Sequence, residues 1–483
     1  MKVKESKTPL SGEAFTPASL WSSLNWNEIE ATVNALQKRI ARSSAQKNWR
    51  KVHQLSYLLT HSLSAKLLSV KIVTSNKGKR TPGIDNQVWV TAEEKYAAAL
   101  SLTNKGYHSL PLKRKYIPKK NGKTRPLSIP TMHDRAIQTL YALARAPVEF
   151  STGDTTSFGF RKGRSARDAS TYLFSCLSRS GSAQWIVEGD IQACFDEINH
   201  AWLLENVPMD KHVLKQFLKA GFMEGYQLFP TVKGTPQGGT ISPILANITL
   251  NGLETMLLQA YNRRPKSGKI TKSYNPHKVN LARYADDFVI TADSPETAED
   301  IVRRVANFLR ERGLILSSEK THITHIDEGF DFLGWNFRKY SGKLLIKPAK
   351  EARERITEKL RLTLRQTIAS PQRELIRQLN PIIAGWTAYH RHTVASQIFH
   401  LLDNTLYGMM RKWAKKRHPK KTPHWTLNRY WHPLNKRKYV FCDGETVLRQ
   451  FSDTKIRRYS LVKLGMNPYI DTAYFQGRKA MRC

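Results

Sequence analysis

Two adjacent carboxylates, Asp286 and Asp287, stand between the short, mainly apolar runs Leu281–Tyr284 and Phe288–Ile290. The pattern predicts a tight β-hairpin with both acids at its tip. Like charges at this spacing repel and raise each other's pKa. A divalent cation such as Mg²⁺, which prefers hard oxygen ligands, would relieve the repulsion. Taken alone, the segment Tyr284–Asp287 favours a solvated Asp-Asp turn. The function of the two acids must therefore be inferred from the rest of the chain.

A third carboxylate, Asp190, ends a strand that is predicted over Gln184–Gly189. Two-metal nucleotidyl transfer needs carboxylates that hold two Mg²⁺ ions about 3.5–4 Å apart, cations for a triphosphate, and a pocket that reads the sugar. Phe195, five positions after Asp190, has a flat side chain that could stack under a sugar and collide with a 2′-hydroxyl. A packing role in the core is the alternative for Phe195.

The balance of charge points to a polyanionic partner. The 483 residues include 78 Lys and Arg against 39 Asp and Glu, which gives a formal net charge of +39 at pH 7. Because neutralised phosphates release counterions, this surplus favours nucleic acid. An anionic membrane surface is the rival, but the chain has no apolar run of roughly 18 residues and no dominant basic amphipathic helix. The four cysteines lack paired spacing and fit a reducing compartment, and the polar N-terminus lacks the apolar segment of a signal peptide.

Hydrophobic periodicity predicts the elements that would position the acids. Helices are predicted over 27–73, 93–102, 134–148, 208–222, 235–248 and 295–312, and strands over 184–189, 314–317 and 330–337. Three further helices are predicted over 349–368, 371–390 and 395–416.

Two basic stretches are candidates for phosphate contact. Residues 116–118 and 125–130 flank a Lys-rich turn with an Asn-Gly pair, which predicts a basic hairpin; an ordinary exposed turn is the alternative. Between Arg411 and Val440 there are 11 Lys or Arg and no Asp or Glu, with aromatic residues interleaved. Charge for the backbone and flat faces for bases suit nucleic acid, whereas a solvated helix end is the alternative. We interpret His418, His424 and His432 as solvated or phosphate-facing, because no Cys-x-x-Cys pair accompanies them.

Four segments occur in the order used by reverse transcriptases: Gly189–Asp196, Thr235–Gly239, Tyr284–Asp287 and Phe332–Trp335. More narrowly, the chain resembles bacterial group II intron-encoded proteins, which are reverse transcriptases and maturases, in Thr81–Asp85, Ile117–Lys119, Arg125–Pro130, Ser157–Arg161 and Pro381–Trp386. The resemblance spans about residues 20–430. The tail offers only Cys442 and Cys483, so the chain resembles the form without a C-terminal His-Asn-His endonuclease domain. Such a form would need another DNA primer, for example a nascent strand at a replication fork.

The resemblance implies a role for each matched position. Asp190, Asp286 and Asp287 would be catalytic ligands of two Mg²⁺ ions, with the Ile191 carbonyl as a further metal ligand. The nucleotide-binding residues would be Lys119, Lys123, Arg125, Phe195 as sugar gate, Gln237 and Lys320. Phe332, Leu333 and Gly334 would grip the primer end. The nucleic-acid-binding residues of the basic stretch would be Arg411, Lys412, Lys415, Lys416, Arg417, Lys420 and Lys421.

The resemblance also implies the architecture and the partners. The fold would be α/β (α+β), a right-hand polymerase with an N-terminal helical extension (1–85), fingers and an antiparallel-sheet palm (86–342), a three-helix thumb or maturase domain (343–420) and a basic DNA-binding domain (421–483). Partners would be group II intron RNA, target DNA, an RNA template with a DNA primer, and deoxynucleoside triphosphates, in the bacterial cytoplasm near the nucleoid, with no membrane. The resulting function is an RNA-directed DNA polymerase and maturase of a mobile, retrohoming element. The alternatives are a splicing-only maturase and a related reverse transcriptase in CRISPR spacer acquisition or phage defence.

Overall fold

The computed structural model describes residues 16–118, 122, 124–434 and 437–480. The first part of the chain is helical and carries one projecting hairpin. Its elements are α1 (Pro17–Ser22), α2 (Trp26–Ala45), α3 (Trp49–His61), α4 (Leu63–Ser75), α5 (Ala92–Ser101), β1 (Leu112–Pro118), β2 (Thr124–Ile129), α6 (Met132–Thr152) and α7 (Ala166–Leu177). Strands β1 and β2 pair antiparallel from Lys113↔Ile129 to Pro118↔Thr124, which confirms the predicted hairpin.

The middle of the chain builds a four-stranded sheet backed by helices. Its elements are β3 (Trp185–Gly189), α8 (Cys194–Glu197), α9 (His200–Asn206), α10 (Lys211–Lys219), β4 (Phe222–Glu224), β5 (Gln227–Phe229), α11 (Ser242–Leu250), α12 (Leu253–Tyr261), β6 (Asn280–Tyr284), β7 (Asp287–Ala292), α13 (Pro295–Arg310) and β8 (His322–His325). The sheet order is β6-β7-β3-β8, with every neighbouring pair antiparallel. A second sheet, in the order β2-β1-β4-β5, carries the basic hairpin.

Helix α13 covers one face of the β6-β7-β3-β8 sheet. Ser294 caps it by accepting a hydrogen bond from the Thr297 amide at 3.2 Å, and Pro295 opens it. Apolar residues recur every three or four positions, which gives the helix one buried face against β3, β7 and β8; the buried residues are Ala298, Ile301, Val305, Phe308 and Leu309.

The last third of the chain contains two three-stranded sheets, a helical bundle and a terminal region. Its elements are β9 (Phe330–Phe332), β10 (Trp335–Tyr340), β11 (Lys343–Pro348), α14 (Lys350–Gln366), α15 (Gln372–His390), α16 (Ser396–Arg417), α17 (Pro423–Tyr430), β12 (Trp431–Leu434), β13 (Arg437–Asp443), β14 (Thr446–Val447) and α18 (Thr472–Ala480). The three helices predicted after Ala349 are confirmed. They share a core of their own, in which Leu360, Leu375 and Phe399 are fully or almost fully buried.

Four sequence predictions of elements are wrong in whole or in part. The helix predicted over 208–222 is shorter and is followed by β4, and the strand predicted over 330–337 is divided into β9 and β10. Residues 314–317 are not a strand and make only an isolated bridge, Ile191↔Leu316, to the chain after β3. Helix α11 begins at Ser242, not near 235, because Gly238 takes a φ of +125° that a helix cannot contain. In the described ranges, none of the helices combines the length and apolar character that a bilayer crossing needs.

A C-terminal strap, residues 459–478, returns to helix α7. The Asp168 side chain, which is fully buried, accepts hydrogen bonds from Arg478 Nη2 at 2.6 Å, the Tyr459 hydroxyl at 3.1 Å and the Val462 amide at 3.1 Å. Gly163 lies so close to the strap that an added Cβ would stand 2.5 Å from the Phe475 ring. The strap therefore ties the end of the chain to the region that precedes the large sheet.

We expect Asp168→Ala to lower the free energy of unfolding by about 3 kcal/mol, because it leaves a buried guanidinium without its carboxylate. Urea denaturation measures the loss. The control is Arg304→Ala, which removes an exposed pair with Asp300 (2.7 Å) and should cost less than about 1 kcal/mol. Equal losses in the two variants would contradict a stabilising role for the strap.

Candidate active site

The two adjacent aspartates lie at the tip of the hairpin between β6 and β7, as predicted. Tyr284 pairs with Asp287, which leaves Ala285 and Asp286 as the turn. Ala285 is buried and takes the left-handed conformation, with φ at +60°. A non-glycine residue in that region costs of order 1 kcal/mol or more, so neighbouring contacts must hold the turn in place.

The sheet brings Asp190 to the same edge. Gly189, the last residue of β3, pairs antiparallel with Phe288, the second residue of β7. This is the last pair of the β3–β7 ladder, so Asp190, the next residue, lies beside Asp287. A glycine is needed before it, because a Cβ at position 189 would stand 2.1 Å from the Phe288 ring. The acids at 190, 286 and 287 thus share one end of the β6-β7-β3-β8 sheet, which we call the palm sheet.

The electrostatics of this edge show that the acids affect one another. Burial, followed by the charge of Asp190, raises the pKa of Asp286. Burial and the charges of Asp286 and Asp190 raise the pKa of Asp287 to about 6, although its side chain is exposed towards the cleft. The Lys320 ammonium contacts Asp190 Oδ2, and this hydrogen bond raises the pKa of Lys320. The edge therefore favours a bound cation.

The donor set fits a hard divalent ion, since it consists of carboxylate oxygens, and the pKa values of Asp286 and Asp287 are raised. Two backbone bonds flank Ile191: the Ser317 amide donates to the Asp190 carbonyl at 2.9 Å, and the Gln192 amide donates to the Ile315 carbonyl at 2.9 Å. Neither uses the Ile191 carbonyl. Among the residues that the structure describes, no group of three or more His, Cys, Asp or Glu side chains is arranged to hold a metal ion as it stands.

A series of polar contacts connects the basic hairpin, β1–β2, to the segment after Asp190. Arg125 Nε donates to Gln237 Oε1 at 2.7 Å, and Gln237 Nε2 donates to Asp196 Oδ2 at 2.7 Å. Phe195, which is half-buried, fixes the same loop because its carbonyl accepts the Thr235 amide at 2.6 Å. Two of the predicted nucleotide-binding residues, Lys119 and Lys123, lie outside the described residues.

Sequence reasoning missed Asp196, although it directly follows Phe195. Burial raises the pKa of its carboxyl, and Arg114 acts in the opposite direction. The backbone at Gly234 packs tightly against Asp196, because a Cβ at Gly234 would stand 2.6 Å from the Asp196 carbonyl oxygen. Asp196 and Gln237 line a cavity of about 480 Å³ between the basic hairpin and the loop that follows β5.

The predicted primer grip lies at the turn between β9 and β10. Phe332 is buried, and Leu333 and Gly334 both have positive φ, at +52° and +81°. The Tyr389 hydroxyl on α15 donates to the Leu333 carbonyl at 2.9 Å. A cavity of about 830 Å³ runs from Asp287 past this turn to α14 and α15, so the acidic edge and the helical bundle face one cleft.

Comparison with known proteins identifies the parts of the chain. Residues 117–337 match the family model "Reverse transcriptase (RNA-dependent DNA polymerase)", residues 21–102 match "N-terminal domain of reverse transcriptase", and residues 353–431 match "Group II intron, maturase-specific domain". Protein YkfC of Escherichia coli is 30% identical over 334 residues, which cover 62% of this chain and 87% of that protein. The group II intron-encoded protein LtrA of Lactococcus lactis is 32% identical over 362 residues, 63% of this chain and 60% of LtrA. The chain belongs to the group II intron reverse transcriptases.

Other relatives of this reverse transcriptase are less similar. The putative COX1/OXI3 intron 1 protein of Saccharomyces cerevisiae is 27% identical over 361 residues, which cover 65% of this chain and 43% of the yeast protein. A solved apo telomerase from Candida tropicalis covers 50% of this chain and 55% of its own, at 15% identity and a TM-score of 0.37. The chain thus spans less than two thirds of LtrA and of the yeast protein. None of the three matching family models describes an endonuclease.

The predicted basic surface lies at the end of α16, in the maturase domain of this reverse transcriptase. Five of its seven residues are exposed lysines: Lys412, Lys415, Lys416, Lys420 and Lys421. The two arginines are half-buried. Arg417 donates to the Ile368 carbonyl at 3.2 Å and to the Ser370 carbonyl, and Arg411 donates to the Tyr407 hydroxyl at 3.1 Å. His418 differs from its solvated interpretation, since it is half-buried with Nε2 at 2.7 Å from the Tyr430 hydroxyl.

Proposed function

We propose that this protein copies its intron RNA into DNA at the palm edge that carries Asp190, Asp286 and Asp287, and that it promotes splicing and reverse splicing into target DNA. One observation carries the proposal: the Gly189↔Phe288 pairing places the acid after β3 next to the acids of the β6–β7 turn. The edge faces a cleft that the maturase helices close on the other side.

The proposal gives each of the predicted site residues a role. Asp190, Asp286, Asp287 and the Ile191 carbonyl would hold two Mg²⁺ ions. When bound, the ions activate the primer 3′-hydroxyl and stabilise the charge at phosphorus. Arg125, Lys119, Lys123 and Lys320 would bind the triphosphate through charge-assisted hydrogen bonds. Gln237 would orient the incoming deoxynucleotide from its bond to Arg125, and Phe195 would exclude a 2′-hydroxyl.

The proposal extends to the domains and partners. We assign residues 1–85 to an N-terminal extension, 86–342 to fingers and palm, 343–420 to the thumb or maturase domain, and 421–483 to a DNA-binding domain. Residues 332–334 would hold the DNA primer on its RNA template. The surplus of basic residues favours binding of intron RNA and of target DNA, in the bacterial cytoplasm near the nucleoid.

The test is extension of a DNA primer on an RNA template with Mg²⁺ and deoxynucleotides, run beside a splicing assay of the cognate intron RNA. We expect activity in both. Splicing without extension would contradict the proposal and favour a splicing-only maturase. Extension without any effect on splicing would instead favour a reverse transcriptase of CRISPR or phage-defence systems.

The exposed lysines at the end of α16 give a prediction about salt. We expect Lys415→Glu with Lys416→Glu to weaken RNA binding and to lower the slope of log affinity against log salt by about 2, since each lost phosphate contact removes roughly one unit. Filter binding at several salt concentrations measures the slope. Arg310→Glu, an exposed arginine at the end of α13, is the control. An unchanged slope in the double variant would show that the RNA-binding surface lies elsewhere on the protein.

A further inference from the structure

A buried arginine lies beneath the catalytic hairpin. Arg283, on β6 immediately before Tyr284, is 0% exposed and is one of the largest fully buried side chains among the described residues. Its Nη1 donates to Asn247 Oδ1 at 3.2 Å and to the Ala285 carbonyl at 3.3 Å, and its Nη2 donates to Asn251 Oδ1 at 2.9 Å. The side chain therefore spans the space between α11 and the turn that carries Asp286.

The bond to the Ala285 carbonyl acts on the residue whose conformation is unfavourable. Ala285 has a φ of +60°, and its carbonyl belongs to the peptide that leads into Asp286. Gly159 packs closely against the same turn, because a Cβ there would stand 2.3 Å from the Ala285 amide nitrogen. Asn247 connects the two contacts, since its Nδ2 donates to the Gly159 carbonyl at 3.0 Å. Two contacts, one with Arg283 and one with Gly159, thus hold the turn.

The partners of Arg283 are themselves held rigidly. Asn251 Nδ2 lies 3.3 Å from Glu149 Oε1, and Glu149 forms a buried ion pair with Arg161 at 2.7 Å. Asp154 Oδ2 lies 4.0 Å from Arg283 Nη2, and Asp154 Oδ1 accepts the Gly252 amide at 3.0 Å. Asn251 and Asp154 are thus each held by a further contact, which limits how far the guanidinium can move.

Stability alone is a weak reason for this arrangement. Taking a guanidinium out of water is costly, and a carboxylate at 4.0 Å recovers only part of the cost. Instead, two hydrogen bonds of Arg283 go to the side-chain amides of Asn247 and Asn251, and the third goes to the backbone of the turn. One of the three bonds of the guanidinium thus ends on the peptide next to the acids, and the other two hold the guanidinium in place.

We propose that Arg283 is a positioning residue of the polymerase site, which fixes the Ala285 carbonyl and thereby directs the Asp286 and Asp287 carboxylates into the cleft. The inference rests on the proposed function of those two acids. Arg283 itself is enclosed and acts through the hairpin. Its loss should affect the chemical step and the use of metal, and should leave the binding of nucleotide and template–primer unchanged.

The test compares Arg283→Met with Arg145→Met. Arg145 is also almost fully buried; its Nη1 contacts the Pro208 carbonyl and its Nη2 contacts Ser56 Oγ, away from the hairpin. We expect Arg283→Met to lower kcat for primer extension by about 100-fold, the loss typical of a catalytic group displaced by about 1 Å. The KM for deoxynucleotide should stay within about twofold, and the Mg²⁺ concentration for half-maximal rate should rise. Arg145→Met should leave kcat and the Mg²⁺ dependence unchanged.

Two more variants decide the outcome if Arg283→Met does not fold. Asn247→Ala removes one anchor of Arg283 and the bond to Gly159, and should lower kcat by about tenfold at constant KM. Arg283→Lys keeps the charge but not the fork of donors, so it should recover only part of the rate. Wild-type kcat and Mg²⁺ dependence in folded Arg283→Met or in Asn247→Ala would overturn the inference, and so would an equal loss of kcat in Arg145→Met.

The failure of the inference can be told from the failure of the proposed function. If Asp286→Asn extends primers at the wild-type rate, the acids are not the catalytic site and the proposed function fails. If Asp286→Asn is inactive while the Arg283 variants keep full activity, only the positioning role fails.

Discussion

Asp286→Asn is expected to abolish primer extension, with a rate at least about 10³-fold below that of the wild-type protein, while intron RNA binding is retained. Asparagine has nearly the same shape as aspartate, so the turn between β6 and β7 should persist. What disappears is one anionic oxygen ligand at an edge where three carboxylates meet. Single-turnover extension on an RNA template, with a parallel RNA-binding measurement, separates the two effects.

The matched control lies at the other end of the same strand. Asp293 directly follows β7, and its Oδ2 lies 3.1 Å from His277 Nδ1. Asp293→Asn changes the same functional group without touching the palm edge, and it should extend primers normally. Near wild-type extension by Asp286→Asn would show that the acids at the tip of the hairpin are not metal ligands.

The palm edge was predictable because its signals are local. Short apolar runs around Asp286 and Asp287 indicate a hairpin, and the apolar strand before Asp190 indicates an acid at a strand end. The ladder that joins them, from Trp185↔Ala292 to Gly189↔Phe288, then follows from pairing of buried strands. Periodicity alone does not predict that Asp190 meets Asp286 and Asp287. The order of the segments, which is that of reverse transcriptases, predicts it.

Other features depend on contacts between distant parts of the chain. Arg283 was counted within an apolar run, because nothing in the local sequence indicates that its guanidinium would meet Asn247 and Asn251. The contact of the strap with α7 was not predicted, since composition does not reveal that Arg478 would reach the buried Asp168. Residues 314–317 have the composition of a strand but form only an isolated bridge with Ile191 instead of a ladder. In each case the tertiary partner, not the local propensity, decides the outcome.

The second large effect concerns the sugar. We expect Phe195→Val to raise the use of ribonucleotides relative to deoxynucleotides by about 100-fold, which corresponds to the 1–3 kcal/mol that a pocket wall contributes to discrimination. The backbone of Phe195 should stay in place, because its carbonyl still accepts the Thr235 amide. The change therefore removes the ring and little else. Extension with single nucleotides of each type gives kcat/KM for both sugars.

The position of the ring makes this prediction specific. Phe195 lies between the Asp190 edge and the Gln237 loop, and its ring meets the Phe160 ring edge-on, with centroids 6.3 Å apart. Phe229→Val, which shortens an aromatic side chain on strand β5 of the fingers, is the control and should leave the sugar preference unchanged. If Phe195→Val keeps the wild-type preference while deoxynucleotide incorporation continues, the ring does not form the wall of the sugar pocket. A loss of incorporation with both sugars would instead show that the ring supports the site as a whole.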